Sequence, residues 1–392
     1  MNQKMKKKLL VFTSTFPRWK NDTIPYFVYE LSKQLTKSFD VSILAPSYPG
    51  AKDFEVMDKM KVYRFHYLFK KYETLAGHGG ILPVLKKNKL NYFKVPFFLI
   101  GEYLALKKLV KKINPNIIHA HWVIPQGLIA SKIKNEFGAE YVVTSHGSDL
   151  MGLKGFTQIK KEILQNSNAI TVVSNSLKKE VLNIDLSLNK KIQVIPMGVN
   201  TILFNPNKKD LSIKKKNEID GPFLLFVGRI APEKGIDLLI EAMPEVIKNN
   251  SKIKLMIIGD GTLKEELKKR ANQLGIQTNL IWMDWIDNKY LPKYYATADI
   301  FLGPSRTEGF GLAFVEAGLC GCWLIGTKTG GIKDIIKNKK NGFFINPENS
   351  NDLVEKIILS LKLKKNKEKI RKTIINKFSL NLSTKKYIEV LK

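Results

Sequence analysis

The sequence predicts an α/β protein built from two doubly wound, Rossmann-like domains. Three observations carry that expectation. Apolar runs of strand length alternate with helix-length amphipathic runs along nearly all of the 392 residues. The alternation breaks at the polar stretch "NPNKKDLSIKKKNEIDGP", residues 205–222, and then begins again. Several apolar runs also end in glycine, or in Gly-Pro-Ser, where a buried parallel strand would hand over to a turn and a helix.

In order, "KLLVFTS" is the first expected strand, "YFVYELSKQL" a helix and "DVSILAP" a second strand, with "NIIHAHWV", "AEYVVTSHG", "NAITVVSNS" and "KIQVIPMG" following. Beyond the polar stretch, "FLLFVGRI", "IDLLIEAMPEVI", "KLMIIGDG", "LKEELKKRANQLG", "NLIWMDW", "ADIFLGPS" and "CWLIGTK" repeat the scheme. We place a first domain at 1–204, a second at 205–376, and a closing amphipathic helix at 377–392 that packs back toward the first domain. Ligands of such sheets lie outside the carboxyl ends of the strands, so two of these domains facing across a cleft would hold a donor and an acceptor.

Composition narrows the function. A hydrophobic content of 44% is ample for two cores. The net charge is +30, yet only six of the 65 basic residues are arginine. Base readout leans on arginine forks, so the balance argues against a sequence-specific nucleic-acid reader. Codon bias of an AT-rich genome would explain the Lys, Asn and Ile content, while lysines beside an anionic bilayer contribute about 1 kcal/mol each. Cys320 and Cys322 stand too near for an ordinary disulfide and are too few for structural zinc, which fits a reducing cytosol. The basic start leads into an apolar run too short for a signal sequence. The stretch "YFKVPFFLIGEYLALKKLV" is interrupted by Lys94, Pro96, Glu102 and Lys107 and does not read as a membrane span.

The chemistry concentrates in "RTEGFGLAFVEAGLCG". Glu308 falls in the loop ahead of a helix and Glu316 within it, which separates them by roughly 10 Å along the axis. Glycosidase carboxylates work across one bond at about 5 to 9 Å, so this pair better addresses two ends of one long ligand. Between them a helix N-terminus, approached through Gly309 and Gly311, offers backbone N–H groups to phosphate. The alternative is a helix N-terminal acid and a solvated helix face. In "FLLFVGRIAPEKGIDLL", Arg229 and Lys234 precede a helix and suit a diphosphate clamp, or an ordinary surface loop. His146 in "VVTSHGSDL" sits in a polar loop after a strand, placed to meet a sugar hydroxyl or to remain structural. His119 and His121 share one strand face, which invites metal, but no acidic or cysteine partner stands at ligand spacing and packing is the better reading. His66 and His78 carry no motif.

Taken together, the segments resemble the retaining glycosyltransferases of family four, which have the GT-B fold. The resemblance rests on "EGFGLAFVE" and on "FTSTFPRWKNDTIPYFVYELSKQL", "IIHAHWVIPQG", "SHGSDL", "VVSNSLKKEV", "VIPMGVNTILFNP", "VGRIAPEKGIDLLIEA", "IIGDGTL", "LPKYYATADIFLGPSRTEGFG" and "TKTGGIKDII", in the family's order. It implies that Arg229 and Lys234 hold the diphosphate of a UDP- or GDP-linked sugar and that Glu316 binds the ribose hydroxyls. Glu308 would face the donor sugar, the backbone of Gly309, Phe310, Gly311 and Leu312 would meet sugar and phosphate, and His146 would lie near the sugar. It further implies retention of configuration, no metal and no other cofactor. The chain departs from the family in its glycine-free first loop, "STFPRWKNDTIPYF", in Trp323 where proline is common, in Asn200 for a usual aspartate, and in "WMDWIDNKY", which lacks the usual glycine.

The expected function is therefore transfer of a sugar to a glycan or lipid-linked acceptor, in surface polysaccharide or glycolipid assembly. Within the fold, an epimerase or a sugar phosphorylase fits the two-glutamate motif less completely. From other classes, a basic nucleic-acid-binding protein or a non-catalytic scaffold are the alternatives. A cytoplasmic protein with peripheral attachment to the inner face of the membrane is expected. Residues 66–103 mix aromatics with lysines and would either dock on an anionic bilayer or form a buried helix pair with a solvated lysine face.

Overall fold

The computed structural model describes residues 6–20, 22, 26–76, 80–152 and 154–392. His78, which the sequence left without a motif, lies outside them, as do Asn21, Thr23, Ile24 and Pro25 of the first loop. The chain divides into two compact units, Met1–Gly198 with Ser383–Lys392, and Val199–Leu382.

The first unit carries β1 (Lys7–Phe12), β2 (Phe39–Pro46), β3 (Phe54–Met57), β4 (Met60–Phe65), β5 (Ile117–His121), β6 (Tyr141–Ser145), β7 (Ala169–Val172) and β8 (Ile192–Val194). Among the described residues they form one sheet in the order β3-β4-β2-β1-β5-β6-β7-β8, parallel except for the β3/β4 hairpin. That hairpin was not foreseen, because its edge strand alternates between exposed and half-buried residues and has no sustained apolar run. Leu9, Val11, Ile43, Val62 and Val142 build a core with Tyr387 and Leu391 from the end of the chain.

The second unit carries β9 (Phe223–Val227), β10 (Lys254–Ile258), β11 (Leu280–Met283), β12 (Ile300–Gly303), β13 (Trp323–Thr327) and β14 (Gly342–Ile345), all parallel, in the order β11-β10-β9-β12-β13-β14. Parallel strands covered on both faces need near-continuous apolar runs, and β9 and β12 supply them as "FLLFV" and "IFLG". In each sheet the order reverses once, at β1/β5 and at β9/β12. Such switch points open a crevice at the strands' carboxyl ends. The two parallel-sheet domains expected from the sequence are therefore present.

Two glycines seat the helix that follows β12. Gly303 and Gly326 are register partners on β12 and β13, and a Cβ at either would come within 2.6 Å of the Phe314 ring. The tip of the Phe314 ring thus reaches the sheet at these glycines and brings the helix Leu312–Leu319 down with it. On the helix's other side Gly318 abuts Ile374, to which an added Cβ would approach within 2.8 Å.

Candidate functional site

The second unit's switch point gathers most of the residues singled out above. The turn after β9 carries Arg229 and Lys234, and the turn after β12 carries Glu308. Gly235 adopts φ +65° and begins the helix Ile236–Asn249, where a Cβ would stand 2.1 Å from the Pro304 carbonyl oxygen. The absence of a side chain at Gly235 is what allows the two turns to touch. Lys234 Nζ then reaches Glu308 Oε2 at 2.6 Å, with both side chains largely buried. Arg229 Nη2 meets Glu233 Oε1 at 2.8 Å on the exposed side.

The Glu308 turn is braced from two directions. Arg306 forks onto both oxygens of Asp237 at 2.8 and 2.6 Å and also reaches Glu348. These two carboxylates hold the guanidinium firmly protonated. On the other side Gly330, at φ +47°, lies against the Glu308 carbonyl, and the Gly331 N–H donates to that oxygen at 3.1 Å. A Cβ on Gly330 would sit 1.6 Å from it. The turn is therefore fixed by packing before any ligand arrives. Gly311 (φ +99°) opens the helix Leu312–Leu319, whose first N–H groups continue from Gly309 and Phe310. The Phe310 side chain points inward, buried against Phe378.

Glu316 is the one charged residue of that otherwise apolar helix and is 5% exposed. Asn288 Nδ2 donates to Oε1 at 3.0 Å and the Tyr295 hydroxyl to Oε2 at 2.9 Å. Burial pushes its carboxyl up to about 7, while the two donors pull it back down. An ionised carboxylate accepts about four hydrogen bonds, so two positions stay open for further donors.

His146 lies in the first unit, past the end of β6. The loop that holds it is polar in its own residues, Ser145, Gly147 and Asp149, while aromatic rings flank the imidazole: Phe27 and Trp122 each stand 4.8 Å from it. His121 Nδ1 and His146 Nε2 are 3.0 Å apart, and the rings lie within 9° of parallel. His119, one turn of the pleat earlier, bonds Thr144 Oγ1 at 2.7 Å. Burial pushes His146 and His119 down to about 3, and His121 falls too, so all three are neutral at pH 7. Among the described residues no cluster of His, Cys, Asp and Glu could hold a metal ion.

Several groups that shape these sites were not foreseen. Asn288 and Tyr295 come from a segment 28 and 21 residues before Glu316, and no spacing rule connects them. Asp149 accepts from Val123 N, Ser145 Oγ and Gly147 N, tying the β5 and β6 turns together around His146. The glycine-free first loop is closed instead by a buried ion pair: Arg18 grips Asp22 at 2.8 and 2.6 Å, with its guanidinium over the Trp19 and Tyr48 rings.

Comparison with known proteins adds the family. Residues 208–377 match the model described as glycosyl transferases group 1, and residues 25–202 match the model described as glycosyltransferase family 4. An uncharacterised glycosyltransferase of Methanocaldococcus jannaschii is 31% identical, across 81% of this chain and 85% of that protein. A GDP-mannose-dependent α-(1-6)-phosphatidylinositol monomannoside mannosyltransferase of Mycolicibacterium smegmatis is 22% identical, across 85% and 84%. Among solved structures, sucrose-phosphate synthase of Thermosynechococcus elongatus superposes with a TM-score of 0.80 at 17% identity, covering 98% of both chains. HepE of Anabaena in complex with UDP-glucose gives 0.73 at 14% identity, covering 98% of this chain and 99% of that one. These likenesses establish the GT-B fold.

Proposed function

The chain belongs to the group 1, family four glycosyltransferases, and from that premise we propose that it moves a sugar, with retention of configuration, from a UDP- or GDP-linked donor to a glycan or lipid-linked acceptor. The observation that carries this reading is the contact of Lys234 with Glu308 at the β9/β12 switch point, one helix away from the half-satisfied carboxyl of Glu316. Two cations, a helix N-terminus and two carboxylates are the kinds of group that the ribose, diphosphate and sugar of a nucleoside diphosphate sugar call for.

Each residue then has a part. Glu316 takes the ribose hydroxyls on its two open positions. Lys234 is an ammonium with three donors, so it can keep Glu308 and still meet a phosphate oxygen. Arg229 turns from Glu233 to the diphosphate, and the N–H groups of Gly309, Phe310, Gly311 and Leu312 face sugar and phosphate. Glu308 and His146 contact the donor sugar. The anomeric C–O bond breaks, the diphosphate leaves with the electron pair, and the acceptor hydroxyl passes its proton to the departing diphosphate oxygen as the new bond forms on the same face. Positive charge fixed in advance by Arg229 and Lys234 stabilises the leaving group without a metal. The mannosyltransferase relative, which uses GDP-mannose and a phosphatidylinositol mannoside, and the UDP-glucose-bound neighbour support this donor class and a glycolipid acceptor.

The test is a panel of UDP-, GDP- and ADP-sugars, with and without EDTA, read by calorimetric binding and by slow diphosphate release. Selective binding of one donor, unchanged by EDTA and lost in Arg229→Ala, is expected. Equal behaviour of wild type and variant across the panel would sink the reading.

A further inference from the structure

We propose that the outer face of the helix Lys94–Ile113, with the turn Lys89–Phe93 before it, is a docking surface for an anionic lipid bilayer. Phe93, Phe97, Ile100 and Leu104 are 76%, 53%, 57% and 56% exposed. Their spacings of four, three and four place them in one stripe on a helix of 3.6 residues per turn. Lys108 and Lys111 continue the same stripe at spacings of four and three, and both are exposed. Leu90 and Tyr92 in the preceding turn are 70% and 55% exposed and extend the apolar end.

The opposite face of this helix is already occupied. Phe98, Leu106, Leu109 and Val110 are buried, with the Phe98 ring edge-on to Phe65 and Tyr67 at 5.2 and 5.0 Å. Gly101 lets the helix press against the chain after β4, where a Cβ would stand 2.5 Å from the His66 carbonyl oxygen. A surface helix ordinarily turns polar residues outward, and one that is apolar on both faces calls for a second cover.

Charge decides what that cover is. Residues 81–113 contain eight lysines and one acid, Glu102. Glu102 is fully buried and bonded by Gln126, so it contributes nothing to the rim. Lys86, Lys87, Lys89 and Lys108 are exposed and form no ion pair among the described residues. A second copy of this chain would bring two lysine rims together. An anionic bilayer instead takes the lysines at its phosphates and the aromatic and aliphatic stripe at the acyl boundary. The helix lies on the surface and does not cross it, since no described helix is long and apolar enough to span.

This deepens the acceptor reading above, on which it rests only in supplying a place to meet a membrane-borne acceptor. The experiment is vesicle flotation of the full chain with phosphatidylcholine alone and with phosphatidylcholine and phosphatidylglycerol at about 7:3, at low and high salt. At least tenfold tighter binding to the anionic vesicles is expected. The triple variant Phe93→Ser, Phe97→Ser, Leu104→Ser should lose at least tenfold, and Lys86→Gln, Lys87→Gln, Lys89→Gln should remove most of the salt dependence, with unchanged circular dichroism melts in both. Absence of wild-type flotation on anionic vesicles would overturn the proposal, as would undiminished flotation of the serine variant. A solution dimer abolished by the serine changes would assign the face to a second copy and overturn it equally. Flotation reads no catalysis, so failure of the donor panel leaves this result interpretable on its own.

Discussion

The two switch points of this chain are built from opposite materials. At β9/β12 every conspicuous group is charged and already matched: Lys234 with Glu308, Arg229 with Glu233, Arg306 with Asp237 and Glu348. The carboxyl edge of the first sheet, next to its own β1/β5 switch point, instead presents neutral imidazoles among aromatic rings, and the Arg18 cation of the first loop is consumed by Asp22. One sheet edge is equipped to neutralise a dianion. The other can orient hydroxyls but not charge. In the proposed reaction the leaving diphosphate belongs to the first kind of surface, and neutral sugar or acceptor groups belong to the second.

Removing a cation is the most direct way to break that division. Lys234→Ala deletes a donor to the diphosphate and leaves Glu308 as an unpartnered, largely buried carboxylate. A loss of about 10²–10³ in kcat is expected, the size seen when one preorganised donor to a developing oxyanion is removed. Lys234→Arg keeps the charge but not the fit beside Glu308 and should recover only part. Single-turnover rates with saturating donor give the measurement. A Lys234→Ala rate within threefold of wild type would move the charge stabilisation elsewhere.

Each unit also holds a buried carboxyl that burial pushes up, Glu102 in the first and Glu316 in the second, and the pair sharpens the comparison. Glu102 has a single side-chain donor, Gln126, and burial pushes it up to about 8; Glu316 has two donors and stands at about 7. Both folded values lie above the unfolded one, so folding favours the protonated form. The associated stability is present in full below the ordinary carboxyl range and is lost as pH rises through the folded value. For Glu316 the gap between 4.5 and about 7 corresponds to about 3 kcal/mol, an upper figure. Denaturant midpoints from pH 5 to 8.5 should therefore fall more steeply in wild type than in Glu316→Gln. Donor affinity should run the other way, rising through pH 7 in wild type, because the ionised carboxylate is the better acceptor for ribose. Parallel stability slopes for the two proteins would refute the assignment.

A smaller change tests the cause of that difference. Tyr295→Phe removes one of Glu316's two donors and makes its surroundings resemble those of Glu102. A hydrogen bond to a carboxylate is worth about 1.5 kcal/mol, so the pH midpoint of donor binding should climb by roughly one unit. An unmoved midpoint would mean that burial alone sets the value.

How much of this was legible in the sequence follows from what kind of contact each feature needs. The alternation of apolar runs predicted both parallel sheets, because burial on two faces writes itself into consecutive residues. The same logic missed β3 and β4, a hairpin whose edge strand alternates between exposed and half-buried residues, and β14, a strand of only four residues. The motif holding Glu308, Gly311 and Glu316 was readable because one turn and one helix carry all three. Asn288, Tyr295 and Gly330 were not, since they reach the motif through the fold: Gly330 matters only because the Glu308 carbonyl lies where its Cβ would be. The resemblance to the family supplied roles for Arg229, Lys234 and His146 that the residues alone left open.

The least drastic way to probe the neutral edge is to alter the partner of His146. With both rings neutral, the single N–H between His121 Nδ1 and His146 Nε2 fixes the far nitrogens in opposite states. If His121 donates, its own Nε2 is left as a lone pair and His146 Nδ1 carries the proton. His121 Nε2 and His146 Nδ1 are both buried without a partner among the described residues, although His146 as a whole is the more accessible of the two. Either arrangement thus leaves one buried N–H without a protein partner, and an accepting sugar hydroxyl beside His146 would select the proton on His146 Nδ1. Nitrogen-15 spectra of histidine-labelled, donor-bound protein should show His146 in that tautomer, and His121→Leu should release it toward the form common in free imidazole. His121→Asn, which keeps a polar atom near the Nδ1 position, should preserve it. Loss of the fixed donor should weaken donor-sugar binding by about fivefold, the worth of one hydrogen bond, with denaturant midpoints little changed. Should the spectra show His146 protonated on Nε2, the aromatic edge would present an acceptor, and the hydroxyl it meets would have to donate.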